Sequence, residues 1–113
     1  ISSLKAVAIA DNAVIATNDK GHVMAFDRDT GSELWTQDAF EARFTTGPAV
    51  LSQYVVVGDY QGYVHWLDLN TGHQVAQSKM GSYPISASPV VANNQVYLTD
   101  TDGRVVAYQI KNN

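Results

Sequence analysis

The chain has 113 residues, a formal net charge of −4, 45% hydrophobic and 16% charged residues. That is the make-up of one modest globular domain; it argues against disorder and against the basic surface of a nucleic-acid binder. There is no cysteine, so disulfides, cysteine-based zinc sites and cysteine nucleophiles are excluded, and no run nears the roughly 20 apolar residues of a membrane-spanning helix.

The chain opens Ile1-Ser2-Ser3-Leu4-Lys5, with neither an initiator methionine nor a basic signal-peptide start. It therefore reads as a processed or excised piece of a longer protein. Asp11-Asn12 marks a first hairpin turn and is followed by the β run Val14-Ile15-Ala16. Asn18-Asp19-Lys20-Gly21 is a second turn, with glycine where a hairpin requires positive φ, and Val23-Met24-Ala25-Phe26 follows it. Thr30-Gly31 marks a third. Three hairpins make four strands.

The same order then returns 41 residues later, and again after another 41. Gly21, Gly62 and Gly103 keep the interval, as do Val14, Val55 and Val96, and Val23, Val64 and Val105. Thr30-Gly31 returns as Thr71-Gly72, and Asp27 as Asp68. Tyr54-Val55-Val56-Val57 and Val64-His65-Trp66-Leu67 are the β runs of the second unit, and Val96-Tyr97-Leu98 and Val105-Val106-Ala107-Tyr108 those of the third. No stretch carries helical periodicity.

Four short strands in about 41 residues are one β-propeller blade. The predicted fold is all-β: a partial propeller of three four-stranded antiparallel blades spanning 1–113, with blades at 4–38, 46–79 and 88–110. The third blade lacks its outer strand, because the chain ends where that strand would begin. Fewer than about four blades cannot close a ring. Open blade faces and an unpaired edge near Val105–Ile110 are expected, with self-association or a borrowed strand as outlets.

Ala25 through Trp35 fits the quinoprotein-type tryptophan-docking repeat, Ala-x-Asp-x-x-Thr-Gly-x-x-x-Trp. Asp27 can accept N–H bonds across its turn, Gly31 supplies the left-handed residue, and Trp35 offers a flat surface for docking between blades. The second copy keeps Asp68, Thr71 and Gly72 but has Ala76 in place of tryptophan, which puts ordinary docking there in question. Gly58-Asp59-Tyr60-Gln61-Gly62-Tyr63-Val64-His65-Trp66 resembles the penultimate blade of the BamB-type outer-membrane assembly lipoproteins. Pro48 to Leu51 and Asp102 to Tyr108 are similar to that family as well, which places the chain at the family's C-terminal end.

The resemblance implies a non-catalytic protein-binding scaffold, lipid-anchored upstream of this chain and facing the periplasm at the outer membrane. Its implied partners are the central barrel-insertion subunit of the β-barrel assembly machinery and unfolded outer-membrane proteins. Quinoprotein dehydrogenases share the repeat, so the C-terminal blades of a pyrroloquinoline-quinone enzyme are the alternative. Against catalysis, the acids repeat at turn positions rather than converging. No cofactor or metal is expected: Asp100-Thr101-Asp102-Gly103 begins like a calcium loop but has Lys111 where the twelfth-position Glu belongs, and His22, His65 and His73 lack ligand spacing. The segment joining the first two blades, 38–45, contains Phe40, Arg43 and Phe44. Two phenylalanines flanking an arginine suit a protein-binding hot spot; alternatively, the rings cap the inter-blade core and Arg43 is solvated.

Overall fold

A computed structural model describes residues 4–110. The first sheet holds β1 (Leu4–Ile9), β2 (Ala13–Asn18), β3 (Val23–Asp27) and β4 (Glu33–Gln37) in that order. The second holds β5 (Ala49–Leu51), β6 (Tyr54–Gly58), β7 (Tyr63–Asp68) and β8 (Gln74–Lys79). The third has β9 (Val90–Ala92), β10 (Gln95–Thr99) and β11 (Val105–Gln109). Every pairing is antiparallel between chain neighbours, and among the described residues there is no helix. The fold is the expected partial propeller, and among the described residues β11 pairs with β10 alone.

The turns repeat in atomic detail. Gly21, Gly62 and Gly103 lie at φ 88°, 90° and 87°. Before each, one side-chain oxygen caps the turn: Asn18 Oδ1 accepts the N–H groups of Lys20 and His22, Asp59 Oδ1 those of Gln61 and Tyr63, and Asp100 Oδ1 those of Asp102 and Arg104. The β3–β4 and β7–β8 turns are a second matched set. Asp27 accepts from Asp29 and Thr30, and Asp68 from Asn70 and Thr71, while the Thr30 and Thr71 hydroxyls accept from Ser32 and His73. These bonds hold the Asp27 carboxyl below its ordinary value, the Thr30 N–H contributing most. After each turn the ladder skips one residue, Leu34 in one sheet and Val75 in the next, and both bulged side chains are exposed.

Each inter-sheet space is a separate core. Ala13, Ile15, Val23, Ala25 and Trp35 of the first sheet meet Val55, Val57 and Leu67 of the second. The other face of the second sheet, with Val56 and Val64, meets Val96 and Leu98 of the third. Period-2 alternation places successive residues on opposite faces, so a central sheet must be apolar on both. The Val55-Val56-Val57 run of β6 supplies both faces, and all three side chains are fully buried.

Trp35 spans the first boundary. Its indole N–H donates to the Leu69 carbonyl at 2.9 Å, its ring lies on Gly72, and Gln37 Nε2 donates to the Gly72 carbonyl at 2.9 Å. Burying such a ring stabilises by about 2–3 kcal/mol through area alone. The second boundary is built differently. Trp66, opposite Ala76 across β7–β8, makes edge contacts with Tyr108 of the third sheet and Tyr54 of its own, at centroid distances of 5.8 and 6.3 Å. Where the strands converge, position 6 and its repeats crowd together. A Cβ on Gly47 would lie 2.5 Å from that of Ala6 and would also collide with Ser88.

Candidate protein-binding loop

Residues 38–45 leave β4 and cross to the second sheet beside the Asp59–Gly62 hairpin. The loop is closed on itself and tied to the hairpin at Arg43: its N–H donates to the Phe40 carbonyl, and its carbonyl accepts from Tyr60 N–H at 3.0 Å. Ala42 and Phe44 both adopt positive φ, 65° and 53°, conformations unfavourable for residues with a Cβ.

The three candidate residues part company. Phe40 is 2% exposed and packs against the His65 ring at a centroid distance of 4.3 Å, within the core between the first two sheets. Arg43 keeps 40% of its side chain exposed while Nη1 donates to Asp59 Oδ2 at 3.3 Å. Phe44 is 68% exposed and stands edge-on to Tyr60, itself exposed, at 5.9 Å and 64°. The surface of this loop is therefore Arg43, Phe44 and Tyr60, with Phe40 beneath as its anchor.

Under the loop is a buried pair. Asp59 and His65 are 0% and 1% exposed, with 2.7 Å between Oδ2 and Nε2. The Gln74 amide nitrogen lies 2.9 Å from His65 Nδ1, so the amide donates there and the imidazole hydrogen sits on Nε2, facing the carboxylate. Burial pushes the Asp59 carboxyl upward. The bond from His65 and the N–H groups of Tyr63 and Gln61 outweigh that push and leave it below the ordinary carboxylate value. The Tyr63 ring lies 6.3 Å from that of His65 with the planes 29° apart, and Lys79 caps the Tyr63 ring at 5.4 Å.

Sequence reasoning names His65 as a histidine without ligand spacing and Asp59 within a family-like run, and misses their pairing, although a signal for it is there. Position 65 is Met24 one repeat earlier and Val106 one repeat later, so a histidine there stands at a core position and needs a buried partner. The network holds the loop in place through Arg43 and Phe40. Among the described residues no group of three His, Asp or Glu side chains could hold a metal ion. The motif residues Asp27, Thr30, Gly31, Asp68, Thr71 and Gly72 shape their own turns, with Trp35 docked on the second of them.

The sequence matches the family described as outer membrane protein assembly factor BamB over residues 5–112. The BamB protein of Kangiella koreensis is 42% identical over 92 residues, which cover 81% of this chain and 24% of that protein. The chain thus spans about a quarter of the length of such relatives. The crystal structure of BamB from Moraxella catarrhalis superposes with a TM-score of 0.88 at 31% identity, over 96% of this chain and 33% of that one. A quinohemoprotein alcohol dehydrogenase from Pseudomonas putida superposes at 0.77 with 24% identity, covering 91% of this chain and 18% of that one. That second likeness concerns the fold alone.

Proposed function

The chain belongs to the outer membrane protein assembly factor BamB family, and on that premise we propose that it is part of a non-catalytic protein-binding scaffold that aids folding and insertion of outer-membrane β-barrels. The scaffold is a longer propeller of which this chain forms C-terminal blades, at 4–38, 46–79 and 88–110. It is held at the periplasmic face of the outer membrane by a lipid anchor upstream of these residues. Apolar side chains exposed on the two outward sheet faces (Leu4, Val7 and Ile9 on one, Val90 and Val105 on the other) support this, since neighbouring blades would bury them. Partners are the barrel-insertion subunit and unfolded outer-membrane proteins.

The observation that carries the binding role is Phe44. A phenylalanine 68% exposed on a tethered loop costs solvation without adding to the core, and rigid exposed rings are what interfaces use. Arg43 and Phe44 make the contact, and Phe40 supports them from below. The acids support a non-catalytic reading, because Asp27, Asp59, Asp68 and Asp100 each cap the turn on which they stand. Co-purification of the barrel-insertion subunit with the full-length protein tests the role. Phe44→Ala and Arg43→Ala should each weaken it by about tenfold, the ~1.4 kcal/mol of a modest hot spot. Unchanged recovery for both variants would reject the loop as the contact.

A further inference from the structure

Resting on the reading of this loop as a contact site, we propose that Phe44 and Tyr60 form a pre-set two-ring ledge. It takes an apolar side chain of a protein segment, with Arg43 receiving a carboxylate that flanks that side chain.

The exposure of Phe44 is imposed by its surroundings. One repeat later the same position is Ile85, which is 1% exposed and rests against Gly58, where a Cβ would lie 2.5 Å from the Ile85 methyl. The counterpart of Gly58 in the first sheet is Thr17, fully buried and carrying the Cβ that Gly58 lacks. The inward seat that Ile85 uses is closed to Phe44. Positive φ at Ala42 and Phe44 turns the ring outward, and the edge contact with Tyr60 holds it there. Pre-setting of this kind removes the ordering cost that a flexible contact residue pays on binding.

Buried residues fix the loop from below. Asp59 Oδ2 is shared by His65 and Arg43, and His65 stacks on Phe40, so both loop anchors end on one buried pair. This pair is confined to the second unit: the same places hold Asn18 with Met24 in the first and Asp100 with Val106 in the third. Asp59 and His65 are positioning residues for the ledge.

Charge selects the flanking group. Among the described residues the Arg43 guanidinium is engaged through Nη1 alone, by a carboxylate with no exposure, and its side chain keeps 40% exposure, so donors of the five remain for a ligand. Nearby Glu41 is already paired with His22 at 3.0 Å. The shallow cavity of about 340 Å³ that Phe44 lines is edged by Lys20 and by the acids Asp19 and Glu41, so the cation that receives the carboxylate is Arg43, outside that cavity. The overall charge of −4 opposes acidic partners at long range, but screening within roughly 8–10 Å leaves the local guanidinium to decide.

Two blocked tetrapeptides, Asp-Leu-Leu-Asp and Lys-Leu-Leu-Lys, titrated into full-length protein with isotope-labelled Phe and Tyr rings, test this. The acidic peptide should shift the Phe44 and Tyr60 signals and bind at least fivefold more tightly than the basic one. Arg43→Gln should abolish that preference, and Phe44→Ala the shifts. Asp59→Asn should weaken the acidic peptide three- to tenfold while the turn survives, because Asn18 makes the same two turn bonds one repeat earlier. Equal affinity for the two peptides, or no ring shifts, overturns the partner chemistry; full binding by Asp59→Asn overturns the positioning. Failure here with co-purification still lost in Phe44→Ala removes only the chemistry, whereas intact co-purification with peptide binding present removes only the assembly role.

Discussion

Trp66 faces Ala76 across β7–β8 in the same register in which Ala25 faces Trp35 across β3–β4. The large ring and the small side chain have exchanged strands between consecutive repeats. Tyr54 joins Trp66 in the second interface at the place held by Ala13 in the first, so two rings from inner strands replace one from the outer strand. Packing density is maintained by volume across a pair of strands, and the strand that supplies it is free to vary.

Trp35→Ala should destabilise the protein by about 3–5 kcal/mol, and Trp66→Ala by somewhat less because Trp66 is only half-buried. Ala76→Trp alone adds a second indole beside Trp66 and should gain little. The double exchange Trp66→Ala with Ala76→Trp should recover at least half of the Trp66→Ala loss. Urea midpoints of the four variants decide it; additive effects in the double variant would show that the two positions do not share one space.

Gly72 and Gly31 occupy equivalent turns at φ 79° and 77°, yet a Cβ at Gly72 would strike the Trp35 ring, whereas Gly31 has nothing within 4 Å. Alanine at Gly31 should cost only backbone strain, about 1 kcal/mol. Alanine at Gly72 should cost about 2–4 kcal/mol, as overpacking is added to the same strain. A blue-shifted Trp35 emission that moves red in Gly72→Ala alone would place the difference at the docking contact.

Asp59 should make stability sensitive to acid. Its carboxyl lies below the ordinary value in the folded protein, so its contribution is complete above the unfolded value of about 3.9 and disappears as pH falls through the lower folded value. Thermal midpoints should fall more steeply from about pH 5 to pH 3 in the parent than in Asp59→Asn, which should lose about 1–3 kcal/mol near neutral pH. Parallel pH profiles would remove Asp59 as the source.

Phe40 and Phe44 are four residues apart and should behave oppositely. Phe40→Ala opens a cavity over His65 and should cost about 3–5 kcal/mol, whereas Phe44→Ala should change stability by less than about 0.5 kcal/mol. Chemical denaturation of both variants separates the anchor from the surface.

The recurrence of 41 residues, the glycine-closed turns and the β-branched runs determined the propeller architecture from sequence alone, because these are local requirements. A hairpin needs positive φ at Gly21, and a twice-covered strand needs Val55, Val56 and Val57, whatever else is nearby. Alternation assigns a residue to a face without saying what that face will meet. Only the tertiary structure decided that Thr17 closes the seat that Gly58 opens, so that Phe44 points outward where Ile85 turns in, and that Trp66 does the filling Ala76 no longer can. What covers the Asp59–His65 pair belongs with these outcomes, since Arg43 and Phe40 reach it from the loop that joins the first two sheets. Turn chemistry is written within a few residues; volume and charge are balanced across blade boundaries, between side chains that are distant in the chain.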